Sequence, residues 1–355
     1  MQSLRSFLTL RRKGVILSFS LCAFLLACPC ARQDQAPKNQ SGLTAAPWAR
    51  GWSRFPAITE RDTSAEVVGL GDIHGGYQRL VNLLTTGGLI KPDPQSSGGY
   101  TWSGGNRTLI CTGDVIDKGD QSIEAINLLT ALEAQAPASG GEVIVTLGNH
   151  EAEFLADPMN EKAEEFRAEL LARAIDPMTL PKGQSPYGEW MMNRPFAARI
   201  NDWFFSHAGN SSGKTVAELA QSFRHAVDQG RWDSPALIGD DSLLEAREWW
   251  KRNGDEEALL DRYLLALRVK HIVFGHDPSA FGAKGEMGQE KDGRLFLIDV
   301  GMSPAMDYSK GALLLIDQAG SEVTATSLEA DGKRKELWRG KRAKDSYYGR
   351  TRTTD

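Results

Sequence analysis

Five apolar runs in this 355-residue chain end alike, in glycine or serine followed by an acid, an amide or an imidazole. Glu66–Leu70 leads into Gly71-Asp72-Ile73-His74, and the run through Cys111 leads into Gly113-Asp114, with Asp117-Lys118 just beyond. Val143–Leu147 precedes Gly148-Asn149-His150-Glu151, Phe204-Phe205 precedes Ser206-His207, and Val273-Phe274 precedes Gly275-His276-Asp277. Ligands of an open parallel sheet sit at the carboxyl ends of its strands, so these ends would gather Asp72, His74, Asp114, Asn149, His207 and His276 around one crevice. Two carboxylates, an amide oxygen and three imidazoles, without a thiolate, suit Mn, Fe, Zn or Mg. Six groups exceed the needs of one catalytic ion with open positions. Two ions sharing Asp114, about 3.5–4 Å apart, use them better.

The elements between these ends have a regular rhythm. Glu66–Leu70, Leu109–Cys111 and Val143–Leu147 read as strands. Between them, Tyr77–Thr86 has helical spacing at Leu80, Leu83 and Leu84, and Ser122–Ala134 has it at Ile123, Ile126, Leu129 and Leu132. Such βαβαβ order predicts an α/β core with a parallel sheet and crossover helices. Helical patterns also cover 160–174 and 242–267. Further strand runs are Trp203–Ser206, His271–Phe274, Leu295–Ile298, Ala312–Ile316 and Val323–Ser327. Cys111, Trp203-Phe204-Phe205 and Trp249-Trp250 read as core residues, and His225 and His271 as structural ones.

Charge and composition narrow the partners. Lys plus Arg total 41 against 46 Asp plus Glu, for a net charge of -5; without residues 1–27 the balance is 37 to 46. An acidic body argues against a non-specific grip on nucleic acid. Residues 1–27 combine Arg5, Arg11, Arg12 and Lys13 with the apolar run Val15–Ala27, the pattern of a signal segment. Its end, Leu25-Leu26-Ala27-Cys28, resembles the bacterial lipobox, which implies acylation of Cys28 and an exported periplasmic or cell-surface lipoprotein. A plain secretory signal cut near Ala27 or Ala31 stays open, as does an uncleaved anchor. Residues 28–55 are expected to form a flexible tether and 56–330 the folded domain, with a basic polar tail over 331–355 that frays from Gly332.

Taken together, the five strand-end motifs resemble the calcineurin-like metallophosphoesterase superfamily, and more narrowly its phosphoprotein-phosphatase branch and that branch's bacterial relatives. The resemblance implies a central β-sandwich flanked by helices, with the metal site at the carboxyl ends of the strands. One metal would take Asp72, His74 and Asp114, and the other Asp114, Asn149, His207 and His276, with Mn, Fe or Zn as the ions. A related branch has a second histidine two places after the last ligand; Pro278 stands there, which favours the phosphoprotein-phosphatase arrangement. Asp241–Arg247 resembles the bacterial Ser-Pro-Leu-Trp-x-Arg segment. Leu297–Gly301 and Lys310–Ile316 resemble the closing strands of diadenosine-tetraphosphate hydrolases.

The implied function is hydrolysis of phosphomonoesters or phosphoproteins by a hydroxide bridging the two ions. His150 would be the general acid and Asp117 would hold its imidazole. Asn149, Lys118 and Arg247 would contact the phosphate, with Lys118 standing where the branch has Arg; a solvated helix arginine is the other reading of Arg247. Glu151 is either an acceptor behind the site or the start of a helix, and Asp277 is a further candidate for support. The insertions 152–200 and 210–262 would build a cap that sets substrate choice. Two other functions stay open at this level: a dinucleoside polyphosphate (nucleotide anhydride) hydrolase, and a lipid-tethered metal-binding protein without turnover.

Overall fold

A computed structural model of the chain describes residues 48–341 apart from 97, 252 and 253. The signal segment, Cys28 and most of the tether lie outside the described residues, as do residues 342–355.

The strands are β1 (Ile58–Arg61), β2 (Val67–Leu70), β3 (Ile90–Pro92), β4 (Tyr100–Trp102), β5 (Thr108–Cys111), β6 (Glu142–Val145), β7 (Ala197–Ile200), β8 (Trp203–Phe205), β9 (His271–Phe274), β10 (Gly288–Glu290), β11 (Leu295–Leu297), β12 (Ala312–Asp317), β13 (Glu322–Glu329) and β14 (Arg334–Lys341). They form two six-stranded sheets, in the orders β14-β13-β12-β2-β5-β6 and β1-β7-β8-β9-β11-β10, and a β3-β4 hairpin. In the first sheet β2, β5 and β6 run parallel, and β12 to β14 extend it antiparallel. In the second, β8, β9 and β11 run parallel.

The sheets press face to face. A Cβ added to Gly69 of β2 would lie 3.5 Å from the Phe205 ring of β8 and 3.6 Å from Ile298, just past β11. Val67, Val68, Leu70, Leu109 and Ile110 from one sheet, with Phe204, Ile272, Val273 and Phe296 from the other, are fully buried. Each such side chain contributes roughly 1.5–3 kcal/mol of burial free energy. Helices cover the outer faces. Between the parallel strands of the first sheet, α1 (Tyr77–Thr86) buries Leu80, Val81, Leu83 and Leu84. Next, α2 (Ser122–Gln135) buries the stripe Ile123, Ile126, Leu129 and Leu132. The remaining helices are α3 (Asn149–Ala156), α4 (Glu164–Ala172), α5 (Pro186–Met192), α6 (Val216–Asp228), α7 (Pro235–Ile238) and α8 (Glu256–Leu267).

Four expectations change. The helix expected over 242–267 is confined to α8 and one short turn at Trp249–Lys251. Upstream, the Ser242 hydroxyl accepts the N–H groups of Leu244 and Glu245, a local bond that competes with helix. The tail does not fray at Gly332, because β14 pairs along β13 and its Trp338 ring packs edge-on to Trp203 and His271. The tether ends sooner than residue 55. Arg50 is buried, and its guanidinium donates to the carbonyls of Phe55, Pro56, Met192, Asn193 and Arg194, pinning the chain there to the domain. At the far end of the first insertion, residues 197–200 belong to the second sheet and not to a cap.

Candidate metal centre

Every loop named by the strand-end pattern opens into one place, but from two sheets instead of one. Asp72 and His74 follow β2, Asp114 follows β5, Asn149 and His150 begin α3 after β6, His207 follows β8 and His276 follows β9. All are buried. The turns are tight enough to strain the backbone, with φ of +47° at His74, +50° at Asp114 and +70° at His276. Glycines precede the ligands for a steric reason. A Cβ at Gly148 would stand 2.1 Å from Asp114 Oδ1, and one at Gly275 2.2 Å from Asp72 Oδ1.

Asp114 is the hub. Its Oδ2 lies 3.4 Å from His74 Nε2, 3.3 Å from His207 Nε2 and 3.9 Å from His150 Nε2, while its Oδ1 accepts the His150 backbone N–H. Asp72 Oδ2 is 3.8 Å from His74 Nε2. On the other side, Asn149 Oδ1 is 2.8 Å from His207 Nε2 and 3.2 Å from His276 Nδ1. Asp114 joins both His74 and His150 in one cluster of ligand atoms within 4.8 Å, and Asp72 and His207 in another.

The donor set fits cations. His74 Nδ1 lies 3.0 Å from the Ile116 carbonyl and His207 Nδ1 2.9 Å from that of Thr112; a carbonyl can only accept, so each Nδ1 carries the proton. His74 Nε2 thus turns its lone pair to the Lys118 ammonium, 2.8 Å away, and His207 Nε2 faces Asp114 Oδ2 and Asn149 Oδ1. So many buried oxygens and imidazoles need positive charge among them, from protons, the ammonium or divalent ions. The protonation directions show the same demand. Burial opposes the His207 imidazolium, yet Asp114 and Asp72 carry it up to about 10. Burial also raises the Asp114 carboxyl, but His207, His150 and His74 outweigh it and hold the acid well below its ordinary range. Asp72 is pushed up by burial and by the facing Asp299. Two His/Asp groups that share Asp114 are consistent with a dinuclear site for divalent ions.

Around the centre, His150 Nδ1 is 2.8 Å from Asp117 Oδ2, and Lys118 Nζ is 2.8 Å from His74 Nε2. Glu151 takes both of its expected parts. It lies in the first turn of α3, and its carboxylate accepts the backbone N–H groups of Asp114, Val115, Ile116 and Gly148. Arg247 lies beside His276, paired at 3.2 Å with Asp277, and its side chain is 56% exposed. His225 is exposed on α6 and His271 is buried against Trp203, both away from the cluster. Cys111 and the Trp203-Phe204-Phe205 and Trp249-Trp250 runs are core.

Two residues at the centre escaped the sequence reading. Asp299 also follows a strand, β11, but directly after Ile298 with no glycine or serine between, so the rule passed it over; it is buried near Asp72, and burial lifts its carboxyl to about 6. Glu245 comes from an irregular loop, with Oε2 3.9 Å from His276 Nε2, and no local pattern marks it.

The sequence model of the calcineurin-like phosphoesterase family matches residues 65–280. A Schizosaccharomyces pombe protein described as uncharacterized is 26% identical over 337 residues, covering 88% of this chain and 93% of its own. The Arabidopsis thaliana "Shewanella-like protein phosphatase 2" is 28% identical over 301 residues, covering 69% and 73%. Among solved structures, the cold-active protein-tyrosine phosphatase of a psychrophilic Shewanella shares the fold at a TM-score of 0.63, with 24% identity over 79% of this chain and 82% of that one. The matched span carries all five strand-end loops, and the chain belongs to the calcineurin-like phosphoesterase family as a metal-dependent phosphoesterase.

Proposed function

We propose that this centre hydrolyses phosphate monoesters, on small molecules or on phosphoproteins. The observation that carries the proposal is Asp114 Oδ2 facing three imidazole nitrogens within 3.9 Å, with His150 backed by Asp117 beside it. Asp72, His74 and Asp114 would hold one divalent ion, and Asp114, Asn149, His207 and His276 the second. When bound, such a pair neutralises phosphate charge and makes hydroxide available near neutral pH.

The chain supplies the rest. His150, buried and held through Nδ1 by Asp117, gives its Nε2 proton to the leaving alkoxide. Lys118 and the Asn149 amide orient the phosphate oxygens, and Arg247 reaches them from the exposed rim once released from Asp277. The helical insertions between the ligand loops form the walls that select the group carrying the phosphate. The N-terminal segment supports export with Cys28 acylated, to be checked by incorporation of labelled palmitate that a Cys28→Ser variant abolishes.

The function is tested with p-nitrophenyl phosphate and a phosphopeptide, with Mn, Zn, Fe or Mg added in turn. Turnover is expected to stop on chelation, to return with a divalent ion, and to be lost in Asp114→Asn. Turnover that persists in EDTA or in Asp114→Asn refutes the proposal.

A further inference from the structure

His276 is held with Nδ1 3.2 Å from both Asn149 Oδ1 and His207 Nε2, facing into the centre. For Nδ1 to donate to a cation it must be the unprotonated nitrogen, so the proton sits on Nε2. That Nε2 is buried and has no hydrogen-bond partner, although the His276 side chain is only 4% exposed. A buried N–H without an acceptor is costly and rare. The carboxylate that Nε2 faces is Glu245, with Oε2 at 3.9 Å, just beyond bonding distance. Glu245 is set in place by its own turn, where Ser242 Oγ accepts its backbone N–H and Leu244 and Ala246 on either side are buried. Glu153 acts on Glu245 both by its charge and by a side-chain hydrogen bond, and Lys162, bonded to Glu153 at 2.5 Å, acts on it by charge. Glu153 stands on α3 three residues after His150.

We propose that Glu245 is a positioning residue for His276: its carboxylate accepts the Nε2 proton, which fixes the ring's tautomer and keeps Nδ1 turned toward the second ion. This rests on the reading of the cluster as a two-ion centre. Carboxylates behind ligand histidines raise ligand basicity, and their loss weakens metal affinity by about 10- to 100-fold. Through Glu245, the 210–262 insertion acts on the metal side of the site as well as on the substrate side.

The test titrates Mn²⁺ into the chelator-treated full-length protein by isothermal titration calorimetry, with near-UV circular dichroism of each metal-free variant as the folding control. Wild type is expected to take two ions. In Glu245→Ala, one of the two sites weakens by about tenfold or more while the other keeps its affinity. In Glu245→Gln, whose amide oxygen still accepts the proton, much of the loss is recovered. A Glu245→Ala variant that binds both ions as tightly as wild type overturns the inference, as does a Gln variant no better than Ala. If Glu245→Ala does not fold, Glu245→Met, of similar volume but with no oxygen to accept the proton, takes its place: loss confined to one site supports the role, and loss at both sites or at neither overturns it. Wild type that takes up no Mn²⁺ removes the two-ion reading itself, a result distinguishable from failure at Glu245 alone.

Discussion

His150 Nδ1 and Asp117 Oδ2 stand 2.8 Å apart in a buried pocket, and the same ring turns Nε2 toward Asp114. The pair spans two loops, one after β5 and one opening α3, which the parallel pairing of β5 with β6 brings side by side. Burial works against the His150 imidazolium, but Asp114 and Asp117 outweigh it and raise it above 6.5. The general-acid role proposed for His150 needs the protonated ring, so activity is expected to fall as pH rises through that raised value. His150→Ala is expected to lower kcat by about 10²–10⁴ with Mn²⁺ binding retained. Asp117→Asn is expected to shift the alkaline limb of the kcat profile to lower pH. An unmoved limb would show that Asp117 does not support His150.

Glu151 ties together the two turns that carry Asp114 and Asn149. One carboxylate accepting four backbone N–H groups orders both loops, and each bond to a charged acceptor is worth about 1.5–3 kcal/mol. Glu151→Ala leaves four donors in a buried space without that acceptor. The variant is expected to lose at least about 3 kcal/mol of stability by chemical denaturation and to lose turnover with it. A wild-type denaturation midpoint would reduce Glu151 to an ordinary first-turn residue of α3.

The strand-end rule picked out side chains that meet at the centre because a turn after a buried strand has few uses for Asp, Asn or His that do not involve a partner. The stripes of α1 and α2 were legible for a similar reason, since burial on one face imposes a 3.6-residue period. What the sequence hid is long-range or two-sided. Near-continuous apolar strands fit a parallel sheet and a sandwich equally well, so only the resemblance pointed to two layers. Strand β14 reads as polar because it is an edge, and only Trp338 turned toward Trp203 and His271 shows its packing. Glu245 and Arg50 act through partners 31 and more than 140 residues away, which local spacing cannot reveal.

His271 shows how a buried imidazole outside the centre sets acid sensitivity. Its Nδ1–H donates to the Gly293 carbonyl at 2.6 Å and its ring stacks on Trp203. Burial outweighs that bond and lowers the group from 6.5 to about 4. Above pH 6.5 the ring is neutral whether folded or unfolded, and it adds no pH dependence. As pH falls from 6.5 to 4 the unfolded chain takes up the proton first, so stability declines by about 3 kcal/mol, at about 1.4 kcal/mol per unit. His271→Phe is expected to flatten the fall in Tm between pH 7 and pH 4.5 relative to wild type. Parallel Tm profiles for the two proteins would contradict this.

Lys118 brings its ammonium to 2.8 Å from His74 Nε2, at the end of a loop held in left-handed backbone at both Asp117 and Lys118. The Nε2 lone pair accepts from it, so the ammonium lies along the line on which a cation at His74 would sit, and it must swing outward when that ion is present. In the proposed function the displaced ammonium would meet a phosphate oxygen, as a point charge without the fork of an arginine. Removing that contact is expected to raise KM for p-nitrophenyl phosphate and weaken inhibition by inorganic phosphate, each by about tenfold or more, at one charge-assisted bond of about 1.5–3 kcal/mol. Lys118→Arg is expected to lower both constants, since two parallel N–H groups can grip one phosphate. Phosphate inhibition unchanged in Lys118→Ala would assign Lys118 to the metal side of the centre, as a counter-charge that departs when the ions arrive.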